Sequence, residues 1–197
     1  MKLYTFPPAP NPSRVRFYLK EKGIELEEVI VDFFKGEQNS PEHLARSPAG
    51  VVPVLELDDG TFLGESQVII EYLEELYPEP CMIGTDPLSR AQTRAVERDI
   101  EMNVLLRIIR YVHASNSPLG LPKNPVIADN EMARLPAGLG RVEARLEGNE
   151  FVMGSAPSIA DCSLLAGLTF GKFGDFEVDA EYTNIRRWFD SYALRHL

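Results

Sequence analysis

The chain has 197 residues, of which 44% are hydrophobic and 25% charged, with a formal net charge of −10. That length suits one large domain or two small ones, and the apolar content suffices for a packed core, which excludes a disordered chain. The acidic balance argues against nucleic acid as a partner, because phosphate binding needs clustered Lys and Arg, and against anionic membrane surfaces.

Two cysteines, Cys81 and Cys162, are too few for a disulfide framework, and no CxxC pair is present. His43, His113 and His196 stand at no metal-ligand spacing, so no metal is expected. The opening MKLYTF reads as a short strand with no apolar leader before it. No apolar run approaches membrane-spanning length, so the cytoplasm is the expected compartment.

In chain order, Lys2–Tyr4 is a strand, and Asn11–Pro12 opens a helix to about Lys22, with Asn11 as N-cap and Pro12 at the first helical position. Gly23 stops that helix. Val29, Val31 and Phe33 alternate along a half-buried strand over 27–33. Ser40–Arg46 is a short helix. Val54–Leu57 and Thr61–Leu63 flank Asp58-Asp59-Gly60, a hairpin signal. Ile69, Leu73 and Leu76 then mark a helix that Pro78 ends, and Pro78–Pro87 reads as a linker.

Beyond Pro87 every pattern is helical. Leu88–Val112 is one long helix, and Ser115–Pro125 is a Pro/Gly-rich loop. Met132, Leu135, Leu139, Val142 and Leu146 form an apolar stripe, which Pro136 should kink or split. Ser158 and Asp161 have the spacing of a capping box before an apolar helix, and Ile185, Trp188, Phe189 and Tyr192 mark the last one. Cys162 lies on an apolar helix face; it and Cys81 are read as structural.

Three segments in this order carry a resemblance. MKLYTFPPAPNPSRVRFYLKEKGI resembles the opening strand, active-site loop and first helix of glutathione transferases. SPAGVVPVLELDDG resembles the family's approach to a cis-proline and hairpin, and GESQVIIEYLEELYP is similar to its Glu-Ser motif and third helix. The Ser158–Asp161 box also resembles the family's, and PAPN resembles the loop of the bacterial Nu class and its yeast prion-like relatives. The resemblance implies an α/β thioredoxin-like N-terminal domain of order βαβαββα over 1–78, a linker over 79–87, and an all-α C-terminal domain over 88–197. It also implies glutathione as co-substrate and a homodimer.

Carried over residue by residue, the resemblance gives Ser66 the γ-glutamyl carboxylate and Glu65 the amino group. Read from the residues alone, the pair is a helix cap beside an exposed acid in the first turn, and the resemblance is what favours binding. Val52–Pro53 is implied to be cis, with the Val52 backbone pairing to the cysteinyl part. Gln38 and Asn39 correspond to contacts with the glycine carboxylate, or are ordinary loop residues. Val51 stands where family members often carry Lys or Arg. Ala9 stands where many classes have the catalytic Ser or Cys. In the Nu-like loop an Asn two positions later takes that role, here Asn11, in competition with N-capping; Tyr4 or Thr5 could instead supply a hydroxyl.

These expectations describe a glutathione-dependent transferase that activates glutathione for attack on an electrophile or for thiol–disulfide exchange, including disulfide reduction. A second, hydrophobic or disulfide substrate would meet the helical domain at roughly Leu105–Tyr111. Ala9 and Val51 favour a second reading, a non-catalytic ligand-binding or scaffold protein; Glu65-Ser66 and Val52-Pro53 weigh against it.

Overall fold

The computed structural model describes residues 1–196, which divide into two compact units, Met1–Pro80 and the chain from Cys81 onward. The first unit runs β1 (Lys2–Thr5), α1 (Pro10–Lys22), β2 (Glu27–Ile30), α2 (Pro41–Arg46), β3 (Val54–Glu56), β4 (Phe62–Leu63) and α3 (Ser66–Leu76). The four strands lie in the order β2-β1-β3-β4. Strand β1 is parallel to β2 and antiparallel to β3, with Tyr4 opposite both Val29 and Val54.

Side chains alternate across this sheet, so its two faces carry different cores. Leu3 and Leu55 are fully buried, as are Val15 and Tyr18 of α1 and Ile69, Ile70 and Leu73 of α3. Tyr4, Phe6, Val31, Val52 and Val54 form a second cluster, with Ala9, Val29 and Phe33 packed against it. Strand β2 ends earlier than the alternation predicts. The Asp32 carboxylate accepts from the Phe34 N–H (2.9 Å), turning the chain before Phe33 can pair.

A polar tie crosses the α1–α3 contact. Lys22 Nζ lies 2.8 Å from Glu74 Oε2, and the Tyr18 hydroxyl donates to the same oxygen at 2.7 Å. Lys22 also donates to the Pro80 carbonyl. Both charged side chains are essentially inaccessible to solvent, so removing either leaves the other a buried charge without this ion pair.

The second unit contains α4 (Pro87–Ile100), α5 (Leu106–Asn116), α6 (Pro125–Leu146), α7 (Ile159–Gly171) and α8 (Thr183–His196). One π-helical stretch, Glu101–Leu105, joins α4 to α5, so the single predicted helix carries a wider turn at its middle. Helix α6 runs through Pro136 as one element, so the alternative of a split at that proline is not what forms. Helix α7 is apolar on nearly every side and forms the centre of this unit.

The Ser158–Asp161 capping box is present and extends further than its motif. Asp161 accepts from the N–H groups of Val152 (3.0 Å) and Ser158 (2.9 Å), the Ser158 hydroxyl (2.8 Å) and Trp188 Nε1 (2.9 Å). Complete burial pushes its carboxyl up to about 6, even though all four donors favour the charged form. The unfolded chain gives up that proton near pH 4 and the folded chain near 6. Protonation therefore favours the fold, and this group's contribution is lost as pH rises between those values. A carbon-detected NMR titration should find the Asp161 carboxyl changing charge near pH 6. Asp161→Ala, which strands the Trp188 indole and two backbone donors, should cost more than about 3 kcal/mol in urea unfolding.

Candidate functional site

The residues given glutathione roles from sequence fall on three segments of the first unit and on the Gln38–Asn39 turn beside the third. At the first, the Ala9 N–H closes a turn onto the Phe6 carbonyl (2.9 Å), and α1 starts at Pro10 with Ala9 as N-cap. This corrects the predicted start. Asn11 is not the N-cap but the second helical residue, and its side chain makes no hydrogen bond among the described residues. The first backbone bond of the helix is Ser13 N–H to Ala9 C=O at 3.1 Å. Of the three residues ahead of it, Pro10 and Pro12 have no N–H. Asn11 therefore carries the main-chain donor left at that helix end, beside a side-chain amide.

The two alternative hydroxyls diverge. Tyr4 donates to Glu56 at 2.6 Å while the Arg46 guanidinium sits 4.4 Å from its ring centre. That hydrogen bond holds the phenol pKa above its ordinary value, so Tyr4 is a packing residue rather than a source of protons. Thr5 is fully buried, and its hydroxyl has no partner among the described residues.

The second segment is the start of α3. Glu65 has φ 62° and ψ 111°, a conformation that costs energy for a residue with a side chain. It is exposed, and no side chain caps the helix that follows. The first backbone bond is Ile69 N–H to Glu65 C=O at 2.9 Å, so the N–H groups of Ser66, Gln67 and Val68 end the helix facing outward. Ser66 is 2% exposed, and its Oγ accepts from Arg14 Nε at 2.7 Å. No described residue accepts the hydroxyl proton of Ser66.

The third segment runs from Gly50 to Pro53, and the Val52–Pro53 bond is cis, as the resemblance implies. Side chains hold both polar groups of Val51. Ser47 Oγ accepts its N–H at 3.1 Å, and the buried His43 meets its carbonyl with Nε2, also at 3.1 Å. A carbonyl can only accept, so Nε2 carries the hydrogen and His43 Nδ1 is left buried without a partner. The Val52 N–H and C=O are bonded by no other described residue, while its side chain packs in the cluster that contains Phe6 and Ala9. Gly50 has φ 63°; a Cβ there would come within 3.1 Å of the Gln38 carbonyl and 3.6 Å of Asn39 Oδ1. The Gln38–Asn39 turn thus lies against this segment. Asn39 is exposed, and Gln38 Oε1 is buried without a partner.

Comparison with known proteins decides the family. Residues 3–81 match the family model for the glutathione S-transferase N-terminal domain, and residues 99–195 match that for its C-terminal domain. The chain belongs to the glutathione S-transferase family. It is 32% identical to Glutathione S-transferase 2 of Saccharomyces cerevisiae, over 99% of this chain and 86% of the yeast protein. It is 34% identical to maleylacetoacetate isomerase of Pseudomonas aeruginosa, over 98% of this chain and 91% of that protein. A solved glutathione S-transferase domain-containing protein of Marinobacter aquaeolei superposes with TM-score 0.91 at 30% identity, covering 99% and 98% of the two chains.

Three residues that touch these segments were not singled out from sequence: Arg14, His43 and Ser47. One signal for Arg14 was present, a charge on the face of α1 that also carries Val15, Tyr18 and Leu19. Among the described residues no group of three or more His, Cys, Asp or Glu could hold a metal, and no helix is long and apolar enough to cross a membrane. Because the Glu65 backbone opposes its own side chain, Glu65→Gly should leave stability equal or raise it by about 0.5–1 kcal/mol, against the loss usual for glycine. Urea unfolding of the two proteins checks this.

Proposed function

We propose that glutathione lies extended across these three segments, with Asn11 holding its sulfur as a thiolate. By family the chain is a glutathione-dependent transferase, with glutathione as co-substrate. The start of α3 carries the reading: an uncapped helix end and a buried hydroxyl with a proton to give make a site for a carboxylate. Ser66 and the adjoining N–H groups receive the γ-glutamyl carboxylate, and exposed Glu65 pairs with the γ-glutamyl ammonium. The strained Glu65 backbone is what places that acid ahead of the helix end. The Val52 backbone groups pair with the cysteinyl part as a short added strand. Gln38 and Asn39 receive the glycine carboxylate by hydrogen bonding alone, since residue 51 supplies no cation.

A cysteine-type thiol has a pKa near 8.5, so half ionisation at pH 7 needs about 1.5 units, or roughly 2 kcal/mol. A full helix N-terminus offers about 0.3–1 kcal/mol, and here two prolines remove most of its donors. A hydrogen bond to a charged group supplies about 1.5–3 kcal/mol, and Asn11 can offer two, from its main chain and its amide. Ala9 therefore does not require a non-catalytic scaffold. The thiolate then attacks an electrophilic carbon, forming a C–S bond while a leaving group departs with its electron pair, or a disulfide sulfur, displacing the other sulfur as thiolate. We place the protein in the cytoplasm and propose a homodimer; α4 exposes 66% of Leu88, and Met102 beyond it is 40% exposed.

Glutathione at 100 times its Kd should stabilise the fold by about 2.7 kcal/mol, and Glu65→Ala should remove most of that gain. A wild type showing no thermal shift at saturating glutathione would sink the binding reading. Asn11→Ala should raise the pKa of bound glutathione by about a unit or more and slow turnover, with little change in affinity. Ultraviolet titration of the thiolate measures the first effect, and an unaltered thiol pKa counts against a catalytic Asn11. Light scattering should give twice the chain mass of 22.1 kDa.

A further inference from the structure

Arginine is among the side chains least often buried, yet Arg14 is only 3% exposed. Its Nε–H meets Ser66 Oγ at 2.7 Å, a short distance for a nitrogen donor, and Ser66 is itself 2% exposed. A hydroxyl has one proton and two acceptor sites. With Arg14 occupying an acceptor site, the O–H vector of Ser66 is turned away from the guanidinium. No described residue takes that proton, and a buried donor left unmade is costly unless something outside the chain accepts it. An unpolarised serine can rotate its proton among several directions; this one cannot point it towards Arg14.

We infer that Arg14 is a positioning residue for glutathione capture: it fixes the Ser66 hydroxyl as a donor aimed at the incoming carboxylate. This rests on the glutathione reading above and extends it from the residues that touch the ligand to one that does not. Two effects combine. The guanidinium polarises the hydroxyl, so the bond Ser66 gives to an anion is stronger than from an isolated serine. The same bond fixes where the hydroxyl sits at the first residue of α3, the helix end that draws a carboxylate. Arg14 stands one helical turn after Asn11 on α1, so one helix carries the residue for the sulfur and the residue that orders the γ-glutamyl end. The two tasks fall to different side chains, so substitution can separate them.

The test is a double-mutant cycle on the intact protein, with glutathione binding measured by calorimetry and turnover measured alongside. Arg14→Met should weaken glutathione binding by about 10-fold to 100-fold, the loss expected when a bond to a charged group goes unordered. It should raise KM, with kcat at saturating glutathione within about threefold of wild type and the bound thiol pKa unmoved. Arg14→Gln, which retains an N–H donor without the charge, should recover part of the affinity and serves in place of Arg14→Met if that variant does not fold. Adding Arg14→Met to Ser66→Ala should change binding by no more than about twofold, since the hydroxyl to be aimed is already gone. Losses that multiply in the double variant, or Arg14 variants that bind as the wild type does, overturn the inference while leaving the glutathione reading intact. A wild type that binds no glutathione overturns that reading itself.

Discussion

Buried polar contacts hold α1 and α3 side by side, and the N-terminal site depends on two of them. Arg14 meets Ser66 near the start of each helix, and Lys22 meets Glu74 two turns further along each. The helices therefore run in the same direction in a fixed register, with a sequence separation of 52 at both contacts. Apolar packing between two helices tolerates small slides, because one leucine surface resembles another. Buried charged and polar partners do not, since a shift of one turn would strand a cation or a hydroxyl. The consequence for function is positional: the helix ends that carry Asn11 and Ser66 are kept at a constant offset.

The third segment is fixed by different means. Val51 spends both backbone groups on Ser47 and His43, which ties it to α2 and the residue that follows that helix. Val52 follows with its side chain anchored in the Phe6 cluster and its polar backbone groups uncommitted. The candidate site residues thus lie where regular structure stops: ahead of α1, ahead of α3 and ahead of β3. Each of these points leaves main-chain groups that the next element does not use.

What could be read in the sequence was what depends on close neighbours. The Asp58-Asp59-Gly60 hairpin, the Gly23 helix stop and the Ser158–Asp161 box each consist of residues within a few positions of one another, and all three are present. The start of α1 was misplaced because PAPNP offers a proline on either side of Asn11, and the true cap, Ala9, has no side chain with which to announce itself. Beta-strand alternation could not foresee Asp32 folding back on Phe34. Arg14 and the Trp188 contact of Asp161 were hidden for another reason: their partners lie 52 and 27 residues away. The wide turn at Glu101–Leu105 left no trace either, since a π turn differs from an α turn in hydrogen bonding, not in composition.

The alternating prolines at the head of α1 have a consequence for how such a site can change. Most active sites are retuned by exchanging one side chain for another. Here, Pro10 and Pro12 act by what their backbones lack, so exchanging either for any other residue adds a main-chain donor at the same helix end, whatever side chain arrives. The number of hydrogens offered to an anion there is written in the proline count of the segment. That gives variation, natural or engineered, a coarse dial separate from Asn11: one that adjusts how strongly this helix attracts negative charge while leaving every functional group in place.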